Sequence, residues 1–328
     1  MADKWTASDI PDQRGRVAVV TGANSGIGFF AARGLAAAGA RLILAVRNAE
    51  KGAEAARAIQ AAAPNAEIEV GSLDLASLAS VRGFADWFVT GHEGLDLLIN
   101  NAGTMAFSPR RETADGFEIS FGTNHLGHFA LTGLLIGPME GRGDARIVTV
   151  SGAFHRMGRI NFDDLQAKRP YGRIRAYAQS KLANLLFAFE LDRRLCAAGS
   201  TIRSLAAHPG FAATNIQSAA ASSRFDRLFG AVGKRFFAQS AEMGALPTLY
   251  AATSPGLEGG SHIGPSRLFE AHGYPKLAGS SAAARDEETA RRLWEVSEQL
   301  TGVRFPIRTA RTPEVAPEQV QAGETPTV

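Results

Sequence analysis

Tyr177 and Lys181 stand four residues apart in Tyr177-Ala178-Gln179-Ser180-Lys181. On a helix that spacing puts both on one face. A free phenol, with a pKa of about 10, exchanges protons poorly at neutral pH. A fixed ammonium one helical turn away favours the phenolate and can bring that value toward the working range. The pair can therefore serve as a proton-transfer centre, although a surface Tyr beside a solvated Lys shows the same spacing. A second stretch, Gly22-Ala23-Asn24-Ser25-Gly26-Ile27-Gly28, reads G-x-x-x-G-x-G. Its glycines allow a tight turn and close backbone approach to a phosphate, and a helix starting there offers free N–H groups and positive potential. Arg47 is the third signal, a guanidinium able to pair with a phosphate.

These residues need elements to hold them. Residues 16–21 form an apolar, β-branched run without polar alternation, as expected of a parallel strand buried on both faces. It leads into the glycine turn and an Ala-rich helix ended by Gly39. Further strands are expected at 41–46, 67–70, 95–100, 146–150, 201–206 and 261–264. Helices are expected from Asn48 to about 63, from Ser77 to about 89, and over about 113–135, 174–198, 241–253 and 287–300. Residues 153–173 read as a long polar loop. Strand and helix alternate, which predicts an α/β fold: a Rossmann-type doubly wound parallel sheet of about seven strands with helices on both faces. No composition shift divides the chain, so one domain over 16–308 is expected. An N-terminal arm (1–15) precedes it, and a Pro-, Glu-, Gln- and Thr-rich tail (309–328), expected to be disordered, follows.

Thr21–Gly28, Asn100-Asn101-Ala102-Gly103 and Tyr177-x-x-x-Lys181 together resemble the short-chain dehydrogenase/reductase family, over about residues 15–305. Asn124-His125-Leu126-Gly127-His128-Phe129, Ser180-Lys181-Leu182-Ala183-Asn184 and Gly273-Tyr274-Pro275-Lys276 are similar to its retinol-dehydrogenase-like branch, which includes WW-domain oxidoreductases and protochlorophyllide reductases. The resemblance implies hydride transfer between nicotinamide and a carbonyl or alcohol carbon, with Tyr177 as acid/base. Lys181 would lower the Tyr177 pKa and hold the nicotinamide ribose, and Asn124 would support a water relay to Lys181. The cofactor would lie against Gly22, Asn24, Ser25, Gly26, Ile27, Gly28, Arg47, Asp74, Leu75, Asn101, Ala102, Gly103, Tyr177, Lys181, Pro209, Gly210 and Thr214. Relatives that use NAD carry a carboxylate after the second strand. Here the strand ends Ala45-Val46-Arg47, which favours NADP(H).

One family position departs. Relatives read Val-Ser-Ser at the end of the fifth strand, with the second Ser binding the substrate oxygen; this chain reads Val150-Ser151-Gly152. Successive strand side chains point to opposite faces, so Ser151 serves only if a bulge or turn re-aims it. Otherwise a loop donor or the substrate itself replaces the hydroxyl, or the protein binds cofactor with impaired catalysis, as a sensor or scaffold. A sugar-nucleotide epimerase or dehydratase ranks low, because those relatives carry a G-x-x-G-x-x-G turn and a larger C-terminal domain.

Apolar residues between 211 and 240, among them Phe225, Leu228, Phe229 and Phe236, recur near helical spacing. They fit either a lid over a hydrophobic substrate or a helix packed on the core. Arg224, Arg227, Lys234 and Arg235 flank them, and whether this segment touches a membrane surface stays open. Net charge is +3 with no long run of like charges, so nucleic acid is not expected as a partner. Cys196 is the only cysteine, which rules out an internal disulfide and a cysteine metal cluster; His155 and His208 show no metal-ligand spacing. No apolar run is long enough to span a bilayer and residues 1–15 make no signal peptide, so a cytoplasmic protein is expected. The helices around 113–135 and 174–198 leave a homodimer or tetramer open.

Overall fold

The computed structural model describes residues 4–105, 109–210 and 239–307. Thr214, the apolar stretch and most of the 211–240 segment lie outside these residues, as does the 309–328 tail.

Among the described residues, eight strands form one sheet in the order β3-β2-β1-β4-β5-β6-β7-β8. They are β1 (Val17–Thr21), β2 (Arg41–Val46), β3 (Ile68–Ser72), β4 (Leu97–Asn100), β5 (Arg146–Val150), β6 (Arg203–Ala207), β7 (His262–Arg267) and β8 (His272–Leu277). Every neighbouring pair is parallel except β7 and β8. After β3 the chain returns to the other side of β1, so a crevice opens where the strand order reverses, between the carboxyl ends of β1 and β4. The apolar runs are buried on both faces, which is why they lack alternation. Ala18, Val20, Leu42 and Leu44 pack on one side, against α1 (Gly26–Ala37), α2 (Ala49–Ala62) and α7 (Ala241–Thr253). Val19, Ile43 and Leu98 pack on the other, against α3 (Leu78–Gly91), α5 (Gly127–Leu135), α6 (Arg173–Ala197) and α8 (Glu287–Thr301).

Two expectations are modified. The eighth strand was not anticipated: β8 pairs antiparallel at the sheet edge and contains Pro275, a residue tolerated in edge strands. The helix expected over 113–135 begins at Ile119. Gly116 adopts φ +81°, and the Glu118 carboxylate accepts N–H bonds from Ser120 and Phe121, fixing the start of α4 (Ile119–Phe121). The chain then passes through a π-helical turn, Gly122–Leu126, in which the Gly127 N–H bonds Gly122 O five residues back, before α5 continues it. Within 153–173 lie two 3-10 turns, Ala153–Met157 and Phe162–Asp164. Among the described residues no helix is long and apolar enough to cross a membrane.

Candidate active site

The glycine turn is locked to the loop after β4. Asn101 Nδ2 donates to Thr21 O at 2.8 Å, and the Asn101 and Ala102 N–H groups each donate to Thr21 Oγ1 at 2.9 Å. A Cβ on Gly28 would stand 2.5 Å from both Asn101 Nδ2 and Gly22 O, so only glycine permits this approach. Helices α2, α3 and α8 are capped by Asn48, Ser77 and Asp286 side chains, whereas α1 has no side-chain cap. Its first N–H groups face the cleft without that competition, as an anion site requires.

The cleft has a volume of about 370 Å³. It is lined by Gly22, Asn24, Ser25, Gly26, Ile27, Gly28, Arg47, Asp74 and Leu75, with Asn101 and Ala102 packed against the glycine turn. Gly103, Ser151, Gly152, Tyr177, Lys181, Pro209 and Gly210 complete the lining. Arg47 is exposed just beyond β2. The Asp74 carboxylate accepts the Ala76 N–H at 3.0 Å, so it shapes its own turn as well as lining the cleft. The elongated groove, its uncapped helix start and its glycine floor fit a dinucleotide. Thr104, Met105, Thr123, Ala153 and Phe154 line the same cleft and escaped the sequence reading. Phe154 meets the Tyr177 ring edge-on at 5.4 Å between centroids; an apolar residue inside a stretch read as polar was the signal available.

Tyr177 and Lys181 share the inner face of α6. Burial pushes the Tyr177 phenol up to about 12 and holds the Lys181 ammonium down at about 8. The expected lowering of Tyr177 by Lys181 is therefore outweighed by loss of hydration. Lys181 Nζ donates to Val150 O at 3.3 Å and lies 5.7 Å from the Tyr177 ring centroid. Asn124 uses its whole amide. Its oxygen accepts the Thr104 N–H at 2.7 Å, and its nitrogen donates to Thr104 O and Ser180 Oγ, each at 2.9 Å. Ser180 Oγ donates in turn to Tyr177 O at 2.7 Å.

Ser151 lines the cleft, and its buried hydroxyl is already engaged, donating to Lys181 O at 2.7 Å. Gly152 is extended, with φ −174°, and among the described residues a Cβ there would meet only Lys181 Cγ, at 3.9 Å. Behind it His155 Nδ1 donates to Gly152 O at 2.8 Å, and His155, His208 and His262 pack ring to ring in the interior.

A doubly wound sheet with a dinucleotide groove at its switch point and a Tyr–Lys pair at the groove's end defines a nicotinamide-dependent oxidoreductase. The family profile described as short chain dehydrogenase matches residues 16–224, and the chain belongs to that family. Mouse (Mus musculus) retinol dehydrogenase 11 is 43% identical over 293 residues, covering 88% of this chain and 87% of the relative. Human (Homo sapiens) retinol dehydrogenase 12 is 41% identical, covering 89% and 88%. Among solved structures, a Mycobacterium paratuberculosis protein is 46% identical with a TM-score of 0.76, covering 93% of this chain and all of its own. A Beutenbergia cavernae protein described as an NAD(P)-dependent gluconate 5-dehydrogenase, solved with NADP at low occupancy, is 27% identical with a TM-score of 0.57, covering 74% and 91%. The chain thus lies in the retinol-dehydrogenase-like branch.

Proposed function

We propose that this chain is an NADP(H)-dependent oxidoreductase acting on a hydrophobic carbonyl/alcohol pair, with Tyr177 as the acid/base. The observation that carries it is the meeting of Tyr177 and Lys181 with Gly103 at one end of the groove: a Cβ on Gly103 would lie 3.6 Å from Lys181 Nζ. When bound, the nicotinamide supplies a hydride to the substrate carbon or takes one from it. The protein's part is to move the accompanying proton. In the reductive direction Tyr177, held as a neutral phenol by burial, donates its proton to the substrate oxygen and becomes a phenolate beside Lys181. Lys181 stabilises that phenolate and would hold the ribose hydroxyls of a bound cofactor; Asn124 fixes the Thr104 backbone.

NADP is preferred over NAD in this reading because Arg47 follows β2 where a carboxylate would select NAD, and because the Beutenbergia relative was solved with NADP. The names of the mammalian relatives support a hydrophobic alcohol or aldehyde as substrate. A cytoplasmic location belongs to the same proposal and rests on the sequence. A second reading, an NADP-binding sensor or scaffold with weak turnover, is favoured by Gly152 and by the commitment of the Ser151 hydroxyl to Lys181 O.

The test is NADPH consumption across aldehydes, ketones and quinones with NADPH binding measured in parallel, on the wild type and on Tyr177→Phe. Turnover lost in the variant with binding kept supports the assignment; turnover retained refutes it. Binding without turnover in the wild type favours the second reading.

A further inference from the structure

The Asn124 carbonyl has a partner that the functional reading does not use. His128 Nδ1 lies 2.9 Å from Asn124 O, and His128 Nε2 lies 2.9 Å from Thr21 Oγ1. All three residues are buried. A carbonyl oxygen only accepts, so the first contact requires the proton on Nδ1. Burial, reinforced by the nearby Lys181 charge, holds the His128 imidazole down at about 4, so it is neutral at physiological pH and carries that proton alone. Nε2 is then a lone pair. The Thr21 oxygen already accepts two N–H groups, from Asn101 and Ala102, and so has only its own proton to offer. That proton goes to Nε2 rather than to Ile99 O, which is farther away at 3.2 Å. One tautomer satisfies every group.

The result is a series of contacts that meets at Asn124, through its main-chain oxygen on one side and its side-chain amide on the other. It runs from the Asn101–Ala102 wall of the cleft through Thr21 and His128 to Asn124, and on through Ser180 to the Tyr177 carbonyl. Asn124 lies in the π-helical turn, where the regular spacing of helix carbonyls is broken.

We propose that His128 is a positioning residue: it fixes the Asn124 carbonyl and, through Thr21, the loop after β4, so that the cofactor wall and the Tyr177–Lys181 face keep one spacing. Its kinetic consequence rests on the oxidoreductase reading above; the bridge itself rests on the geometry alone.

Three variants separate the contacts. An Asn amide replaces Nδ1–H toward Asn124 O, a Gln amide replaces Nε2 toward Thr21, and Leu replaces neither. Thermal melts set an assay temperature at which all are folded, and NADPH titration counts competent sites. Per NADPH-binding site, His128→Leu is expected to lower kcat about tenfold to a hundredfold, the range for losing one buried hydrogen bond that holds the site. His128→Asn should recover most of that loss and His128→Gln less. A merely structural histidine would lower stability and the number of sites but not kcat per site. Unchanged kcat per site in His128→Leu, or His128→Asn as impaired as His128→Leu, overturns the proposal. Nitrogen NMR of the wild-type imidazole, recorded without cofactor, decides the bridge apart from turnover: Nδ1–H is expected, and Nε2–H overturns it. A wild type that reduces no carbonyl refutes the oxidoreductase reading, and the tautomer still decides the bridge.

Discussion

Replacing Gly152 by Ser probes the one position where the proposed site lacks a group. The backbone accepts the change: φ is −174°, open to any residue, and among the described residues an added Cβ would meet a single atom, Lys181 Cγ at 3.9 Å, an ordinary contact. The new hydroxyl would stand beside Lys181 in the cleft, where the Ser151 hydroxyl is already spent on Lys181 O at 2.7 Å. A donor aimed at charge developing on a reacting oxygen is typically worth about 3 kcal/mol, or a hundred- to thousandfold in rate. An unsupported, rotating hydroxyl realises only part of this, so Gly152→Ser should raise kcat/KM about ten- to hundredfold with a responsive aldehyde or ketone. Gly152→Ala brings the same Cβ without the donor and should gain no rate. Both variants should be more stable by about 0.5–1 kcal/mol, because the unfolded chain loses freedom while the folded one is unstrained. The assay is NADPH oxidation at saturating cofactor, with urea unfolding of each protein. A Ser variant no faster than the Ala variant, both folded and binding NADPH, refutes the reasoning and means that another group already holds the substrate oxygen.

Two further outcomes follow from the site. Arg47→Ala should weaken NADPH about tenfold and leave NADH within about twofold, as expected for one charge-assisted contact with a 2′-phosphate; parallel losses for both in fluorescence titrations would remove Arg47 from cofactor choice. Lys181 has a folded pKa of about 8 against 10.5 when free, so between those pH values the unfolded chain holds a proton that the folded one has released. Stability without cofactor therefore rises with pH across that window and is lost as pH falls through 8. Below it the buried ammonium costs about 3 kcal/mol, a penalty Lys181→Met removes. The variant should thus be more stable than the wild type at pH 7, with most of that difference gone by pH 10. A urea-measured difference that is the same at both values would show that Lys181 titrates normally.

The sheet was legible because its strands are buried on both faces: runs such as Val17–Thr21 and Arg41–Val46 show it directly. The groove followed from the glycine turn, whose spacing is itself a backbone requirement. Strand alternation raised the doubt about Ser151, and the structure engages its hydroxyl with Lys181 O. What stayed hidden depends on tertiary contact. β8 carries a proline that discourages a strand assignment until its edge position is known. The true start of α4 depends on a carboxylate cap and a positive-φ glycine, neither of which interrupts the apolar pattern. The Tyr177 and Lys181 shifts come from burial, which a pentapeptide does not reveal; spacing alone suggested the opposite sign for Tyr177.

The π-helical turn at Gly122–Leu126 amounts to one residue more than a regular helix would hold. Deleting a single residue there would let the segment relax into continuous α-helix, the arrangement that selection for stability alone would favour. The same deletion would shift Asn124 by one position against Thr104 and Ser180 and break both contacts together. The extra residue is thus a barrier between two sequence optima, one for the helix and one for the site. A survey of tolerated insertions and deletions in this chain should find Gly122–Leu126 intolerant of loss whenever activity is selected, and permissive when only folding is.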